Sequence, residues 1–435
     1  MKQSLFKTLV NLKGNPKACI YTDILWAFSI CLCLPYASVY RLAIGLNDVQ
    51  IGLVTMIFTL SQVFFAFLSG PITDKLGRRK ASFIFDFMAW CIPCLFWLFA
   101  QNIWYFIIAA VINGTVQVAA NSWMCLFLED IEKDQINNTN SLLLIVEQFS
   151  VFFAPVTVLL FSRLELVPAI RILYINGFVI MSLKVILCYA FSRETKMGKI
   201  KMEVTRGKSI LKLAAGYSSV IKLIIKSRGT IYAIILTALA GIVVMVNTTF
   251  WQIIVSMKLL VPVHYLPVFL VLKSVITTLF LFFVLPCITG GSLKNPLLSG
   301  FVSFFAGQLI LILTPAGSSA LYIMLCISLV FDSFGYSILI TLSRSLIAVN
   351  FDPEERSGIM AIMHIITLII TAPFAFFAGV LSDISRTLPF VLNLCLLAAG
   401  FCITAVHYKN REKPENRQLD KTELQCYVPH EQEIP

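Results

Sequence analysis

Two apolar stretches, residues 49–69 and 81–100, are joined by Gly70-Pro71-Ile72-Thr73-Asp74-Lys75-Leu76-Gly77-Arg78-Arg79-Lys80. Each stretch has the roughly 20 apolar residues that a helix needs to cross the hydrocarbon core of a bilayer. The joining segment is short and carries four cations. Two antiparallel membrane helices connected on one side of a membrane are therefore predicted here.

The composition extends this prediction to the whole chain. Of its 435 residues 58% are hydrophobic and only 13% are charged, and the mean hydropathy is +0.85. Soluble domains have about 25% charged residues. The apolar excess is too large for the core of a soluble protein, so this class is excluded.

The apolar stretches predict an all-α integral membrane protein with twelve transmembrane helices, arranged as two six-helix bundles. Spans 1 to 6 are predicted at residues 18–40, 49–69, 81–100, 103–128, 141–161 and 167–191, and spans 7 to 12 at 230–255, 261–288, 297–313, 320–349, 357–381 and 388–406. The predicted units are an N-terminal segment 1–17, an N-terminal half 18–191, a central loop 192–229, a C-terminal half 230–407 and a tail 408–435.

The basic residues predict the orientation. Of the 34 Lys and Arg residues, 26 lie in the terminal segments and the even-numbered loops, and the net charge is +11. Because cytoplasmic loops are enriched in Lys and Arg, both termini are predicted to be cytoplasmic. The positive charge then needs no nucleic-acid partner. The first apolar stretch is too long for a signal peptide.

The polar segments and the cysteines predict no metal or cofactor site. In the central loop, apolar residues between Ile210 and Ile225 recur at helical spacing among lysines, which favours either an amphipathic helix on the inner leaflet or a solvated linker. The tail from Tyr408 is predicted to be disordered. Cys91 and Cys94 form a C-x-x-C inside an apolar span, where we predict packing, with no metal and no cofactor.

The two halves share landmarks at a nearly constant offset. Gly70 corresponds to Gly290, Asp130 to Asp352, and Ala154-Pro155 to Ala372-Pro373, with offsets between 218 and 222 residues. Repeated bundles are typical of secondary transporters. The sequence thus predicts duplicated six-helix halves.

The segment 70–80 resembles the cytoplasmic signature G-x-x-x-D-[RK]-x-G-[RK]-[RK] of the major facilitator superfamily, and every defined position matches. The resemblance implies a conformational latch between the halves, in which Asp74 faces the amides of Ser357 and Gly358 and Arg78 pairs with Glu129 or Asp130. The glycines are expected to permit a tight bend. The predicted latch residues are Gly70, Asp74, Lys75, Gly77, Arg78, Arg79, Glu129 and Asp130.

Several positions depart from the family pattern. The corresponding loop of the second half, residues 290–295, lacks the aspartate and the arginine pair. Ala110 stands where proton-coupled members often have an arginine, and span 5 lacks the glycine-rich antiporter pattern. Proton-coupled drug efflux is thereby disfavoured.

Charged residues near the middle of a span are costly and are therefore functional candidates. Lys273 in span 8 and Asp332 in span 10 lie at midplane depth. They form either a static salt bridge or a substrate or proton site that breaks during transport. Glu147 is a second predicted partner of Lys273, and Asn113, Gln117 and Asn247 are predicted hydrogen-bonding groups of a substrate or coupling site, with Tyr36 and Trp251 as aromatic faces.

These features predict a secondary transporter, and no enzyme. A phosphate-binding G-x-x-x-x-G-K-[ST] loop is absent, since Met202 occupies the place of its first glycine. We expect alternating access to a small solute or ion across a bacterial plasma membrane, with proton or ion coupling and the lipid bilayer as surroundings. The competing interpretation is a non-transporting sensor or scaffold of the same fold.

Overall fold

The computed structural model describes residues 12–131, 142–143, 145–146, 150–210, 213, 228–280, 283, 293–349 and 356–411. Among them, ten helices are long and apolar enough to cross a membrane. They correspond to span 1 (Gly14–Ala43), span 2 (Asp48–Leu76), span 3 (Arg78–Leu98), span 4 (Ile103–Leu128), span 6 (Leu166–Phe191), span 7 (Arg228–Ile253, continuing to Lys258), span 9 (Lys294–Leu313), span 10 (Leu321–Val349), span 11 (Arg356–Ile384) and span 12 (Leu388–Arg411).

Spans 5 and 8 are described in part. Their shorter apolar helices are Val151–Phe161 and Val263–Leu279. The all-α membrane fold predicted from the apolar stretches is confirmed. Glu147, Gly290 and Asp352 lie outside the described residues, as does nearly all of the predicted amphipathic helix at 210–225.

Three features differ from the prediction by more than small shifts at the ends of spans. Span 2 runs through Gly70 and Pro71 to Leu76, so the bend predicted for the whole segment 70–80 occurs at Gly77 alone, which has φ +82°. A side chain there would also meet Glu194 Oε2 at 2.5 Å. Only glycine adopts such a backbone without strain.

The polar segments contain the other two differences. Span 12 continues through Tyr408 to Arg411, so the tail predicted from residue 408 begins at least four residues too early. In the central loop a helix not predicted from the sequence, Lys196–Val204, follows span 6 and is called the linker helix below. Thr195 caps it by accepting a hydrogen bond from the Gly198 amide at 2.9 Å.

Apolar packing joins the two halves on one side of the molecule. We call the side that carries Gly14 and Arg411 the terminal face and the opposite side the far face. One buried cluster contains Tyr40 and Ile51 of the N-terminal half together with Phe250 and Leu325 of the C-terminal half, all in the far-face part of their spans. In the part of the chain that the structure describes, the clusters nearer the terminal face stay within one half.

Spans 2 and 11 make the closest approach between the halves. A Cβ atom on Gly52 would lie 2.5 Å from the backbone oxygen of Ala375, and one on Gly379 would lie 2.7 Å from that of Asp48. Small residues let helix backbones approach in this way within a membrane. Nearby, Ser382 Oγ donates a hydrogen bond to Asp48 Oδ2 at 2.5 Å. The far face is thus closed.

Candidate functional site

A cavity of about 90 Å³ lies between the halves near mid-depth. The break in span 1 contributes Leu34 and Pro35, and the remaining lining comes from the C-terminal half: Asn247, Thr248, Trp251, Gln252, Leu266, Phe269, Leu270, Lys273 and Leu329. Proline has no N–H and cannot continue the hydrogen-bond ladder. Residues Leu34–Tyr36 accordingly form a 3-10 turn at this point.

The break in span 1 also connects the two halves. Gln252 Nε2 in span 7 donates to the backbone oxygen of Leu34 at 3.4 Å. Trp251 and Phe269 pack edge to face on the C-terminal side of the cavity, with ring centroids 5.9 Å apart. The cavity therefore has an aromatic and aliphatic wall, with a few polar groups set into it.

Lys273 lines this cavity but does not pair with Asp332. Its Nζ lies over the ring of Tyr336, 5.3 Å from the centroid, within range of a cation–π interaction. Both Lys273 and Asp332 are described, and no ion pair joins them. The two charges attract each other electrostatically without a direct salt bridge in this state, so their joint role stays a prediction.

Asp332 belongs to a polar network buried inside the C-terminal half. Gln308 Nε2 donates to both carboxylate oxygens of Asp332 at 2.9 Å, and also to Asn247 Oδ1 at 3.2 Å. Asn393 Nδ2 donates to Gln308 Oε1 at 3.0 Å. Gln308 and Asn393 are fully buried, and Asp332 is 4% exposed. Asn247 thus connects the network to the cavity.

The sequence interpretation did not select Gln308 and Asn393. Both are polar residues within apolar spans, and this is the signal that could have identified them. They satisfy hydrogen-bonding groups that would otherwise be unpaired in a low-dielectric interior. They also hold the Asp332 carboxylate in place.

The other predicted site residues do not line this cavity. Asn113 Nδ2 donates to the backbone oxygen of Ala89 at 2.5 Å, within the π-helical turn Phe87–Cys91 of span 3. Gln117 is half-buried in span 4. Tyr36 is fully buried, with its hydroxyl 2.6 Å from Thr157 Oγ1. Glu147 lies outside the described residues.

The predicted latch residues gather at the terminal face of the N-terminal half. Arg78 contacts Asp74 at 2.8 Å and Glu129 at 3.0 Å, and its side chain is 5% exposed. Asp130 accepts a hydrogen bond from Asn15 at 3.1 Å. The surroundings of Ser357 and Gly358 are not among those that the structure describes, so the contact of Asp74 with their backbone amides stays a prediction.

Residues beyond span 6 complete this cluster. Glu194 accepts hydrogen bonds from the backbone amides of Arg78 and Arg79 at 2.9 and 3.0 Å, and so caps the start of span 3. Thr195 donates to Glu129 at 2.5 Å, and Lys75 Nζ donates to the backbone oxygen of Lys208 at 3.0 Å. The signature segment thus binds the linker helix and its flanks to the N-terminal half.

An ion pair is buried deeper in the same half. Lys184 Nζ lies 2.5 Å from Asp86 Oδ2, and the two side chains are 3% and 7% exposed. Both residues lie near the terminal-face ends of their spans, where charged side chains often reach water. They pair instead, because span 3 and span 6 pack against each other and neutralise the two charges inside the bundle.

Comparison with known proteins identifies the family. The model of the major facilitator superfamily matches residues 24–294 and 291–426. No match is found among curated proteins. Structures of a nucleoside transporter, NupG, are similar at a TM-score of 0.69 with 11% identity, and at 0.70 with 13% for a mutant form of it, covering 92% and 91% of this chain and 100% of theirs.

Two further solved structures have the same fold. The human organic anion transporter MFSD10 is similar at a TM-score of 0.58 and 13% identity, over 89% of this chain and 98% of its own. The peptide transporter POT is similar at 0.65 and 12%, over 90% and 94%. At these identities the likeness concerns the fold alone. The family model covers most of the chain, which therefore belongs to the major facilitator superfamily.

Proposed function

We propose that the chain is a secondary transporter that moves a small solute across the plasma membrane by alternating access, without ATP hydrolysis. As a member of the major facilitator superfamily it is a carrier and no enzyme. The substrate is expected at the cavity between the halves, because a site there is exposed first to one side of the membrane and then to the other.

The observation that carries this proposal is the position of the cavity relative to the closed far face. Leu34 belongs to one half and Trp251 to the other, and both line the cavity. The apolar packing that joins the halves lies between this cavity and the far face. A rocking motion that separates Gly52 from Gly379 would open the cavity to the far side.

The charge distribution supports a direction for this motion. Of the 34 cations, 26 belong in the sequence to the terminal segments and the even-numbered loops, so the terminal face is proposed to be cytoplasmic. The far face is then external, and the structure corresponds to a state closed to the outside. The contacts of the signature segment are proposed to rearrange when the terminal face closes in turn.

We also propose that Asp332 takes part in coupling. Its carboxylate is buried, and among the described residues its hydrogen bonds come from one neutral amide, Gln308. Lys273 attracts this carboxylate electrostatically, but no direct ion pair joins the two described side chains. A buried carboxylate without a direct ion-pair partner is costly, and a bound proton removes that cost. Movement of the network during transport would change the ratio of protonated to ionised Asp332, so proton binding and solute movement would be linked.

Two measurements test the proposed function. First, a screen of solutes against the purified protein identifies compounds that raise its melting temperature, since a ligand of the folded state stabilises it. Second, uptake of these compounds into liposomes containing the protein is measured with a solute or pH gradient. Binding without flux across the membrane would contradict transport and favour a sensor or scaffold.

A crosslink provides the matched control. Asp48→Cys combined with Ser382→Cys, at positions whose side chains are in contact, is expected to join spans 2 and 11 on oxidation. Flux should stop in the oxidised protein and return after reduction, while each single variant keeps its flux under both conditions. Equal flux in the oxidised and reduced double variant would contradict alternating access.

A further inference from the structure

We propose that the cavity between the halves binds a small organic carboxylate, with its acid group on Lys273 and its apolar body against Trp251 and Phe269. This inference rests on the proposed transport function, since it names the class of solute that would be carried. It is argued from the charge, the unpartnered polar atoms and the apolar wall of the cavity.

Among the described residues that line the cavity, Lys273 is the one that is charged. An ammonium group at mid-depth in a membrane is costly unless it is compensated. In the described part of the chain, no carboxylate lies within ion-pair distance of it; Asp332 attracts it electrostatically from farther away, and its direct contact is with the face of Tyr336. Asp332 is held by Gln308 instead. The cavity therefore offers a cation to a bound anion.

The neutral polar groups of the cavity also point to a ligand. Gln252 is 8% exposed, and its Oε1 is buried with no hydrogen-bond partner among the residues that the structure describes. The Nε1 of Trp251, in the same stretch of span 7, is likewise buried without a partner. Buried polar atoms are nearly always paired. One donor and one acceptor thus remain for polar atoms of a solute.

The wall of the cavity limits the chemistry of the solute body. Leu34, Leu266, Leu270 and Phe269 are apolar, and Trp251 adds a second aromatic ring. Such a surface favours an aliphatic or aromatic group over a sugar or a peptide backbone. With a single cation, the site matches a monoanion. A phosphate monoester carries nearly two charges and usually has more basic partners.

The test compares acids with their uncharged amides. The pairs are benzoate with benzamide, phenylacetate with phenylacetamide, and hexanoate with hexanamide, with benzylamine and hexylamine as cations of similar body. At least one acid is expected to raise the melting temperature and to enter liposomes containing the protein faster than it enters protein-free liposomes. Its amide and the amines should do neither, because they cannot pair with an ammonium group.

Variants of the lining residues locate the effect. Lys273→Met should weaken binding of the acid by about 10- to 100-fold, since it removes a hydrogen bond between charged groups. Lys273→Arg should retain binding within about tenfold, because it keeps the charge. Trp251→Phe removes the donor and keeps the ring. It should weaken binding about threefold to tenfold if the indole N–H contacts the solute.

The stability of Lys273→Met without ligand is a second readout. Lys273 has no direct carboxylate partner among the described residues, so removal of this desolvated charge should raise the melting temperature of the free protein. A lower melting temperature would indicate a structural ion pair, for which Glu147 is the predicted partner, and would overturn the proposal. So would an acid that stabilises Lys273→Met as strongly as the native protein.

The remaining outcomes separate this proposal from transport itself. If amides or amines are carried into liposomes and acids are not, the carboxylate site is wrong and the transport function stands. If no acid is distinguished from its amide in either assay, the carboxylate site is also wrong. If acids bind at Lys273 but no solute crosses the membrane, the transport function fails and the binding site stands.

Discussion

Asp48 at the start of span 2 and Ser382 near the end of span 11 are joined by a hydrogen bond of 2.5 Å across the two halves. The Asp48 side chain is 5% exposed, and Arg386 Nε lies 3.7 Å from the same carboxylate oxygen. Hydrogen bonds to charged groups contribute about 1.5–3 kcal/mol. This contact is therefore expected to hold the far face closed.

Removal of the Asp48 carboxylate should favour opening of the far face. Asp48→Ala is expected to change the ratio of open to closed molecules by about tenfold or more. Spin labels at Ala43 and Asp383, which are exposed on opposite halves, would report a longer distance in this variant. Arg386→Ala serves as a control with a smaller effect, because its contact is longer and more exposed. An unchanged distance distribution in Asp48→Ala would contradict this role.

The close approach of spans 2 and 11 should depend on Gly52. Gly52→Ala would place a Cβ atom 2.5 Å from the backbone oxygen of Ala375, which cannot move aside as a side chain can. We expect the closed far face to be disfavoured, with the longer distance between labels at Ala43 and Asp383. Gly241→Ala is a matched control, since its Cβ would meet only threonine side-chain atoms at 3.3 and 3.4 Å. Equal behaviour of the two variants would contradict the argument.

The cap that Glu194 provides should stabilise the N-terminal half. Glu194→Ala leaves the amides of Arg78 and Arg79 without their acceptor, and a loss of about 1 kcal/mol is typical for a helix N-terminus. A lower melting temperature is expected in detergent. Glu203→Ala, in the exposed part of the linker helix, should leave it unchanged. A drop of equal size in both variants would instead indicate a general effect of the linker helix.

The buried pair of Lys184 and Asp86 gives a larger effect. Lys184→Met leaves a carboxylate in the bundle interior without its cation, and breaking such pairs costs about 3–5 kcal/mol. Replacing both residues, with Asp86→Leu added, should restore most of this loss, because no buried charge remains. Equilibrium unfolding in detergent measures the free energy of unfolding of the native protein, of Lys184→Met and of the double variant. A double variant as unstable as Lys184→Met would contradict the pairing.

The positions of the spans could be predicted because a helix that crosses a bilayer needs a long run of apolar residues, and such runs are visible in the sequence. Span 6 was predicted at 167–191 and is found at Leu166–Phe191. The linker helix was missed because it is polar and only nine residues long. Glu194, which precedes the linker helix, caps span 3 through hydrogen bonds between residues more than 110 positions apart. A contact between residues so far apart in the chain produces no pattern in the neighbouring sequence from which it could be predicted.

The candidate site was predictable in part, for a geometric reason. Counting residues along a span gives the depth of a side chain, but its direction around the helix depends on the packing of neighbours. Lys273 and Asp332 were therefore correctly judged to lie deep in the bundle, yet the first lines the cavity and the second is held by Gln308. Asn113 was likewise selected for its depth, and it bonds to Ala89 within the N-terminal half.

Substitution of Asp332 separates its part in coupling from its part in folding. In Asp332→Asn, the side-chain oxygen can still accept the hydrogen bond from Gln308, and the group can no longer bind or release a proton. We expect a folded protein with an unchanged or higher melting temperature, because a buried charge is removed. Exchange of solute between the two sides of a liposome should persist. Accumulation driven by a pH gradient should be lost.

The control for this experiment is Ser337→Ala, one turn further along span 10. Its hydroxyl donates only to the backbone oxygen of Ser333 in the same helix, so the substitution should leave both exchange and accumulation unchanged. If Asp332→Asn accumulates solute as the native protein does, Asp332 takes no part in coupling. If Lys273→Met also transports at the native rate, neither midplane charge belongs to the working site, and the polar network of span 10 is a structural feature of the C-terminal half.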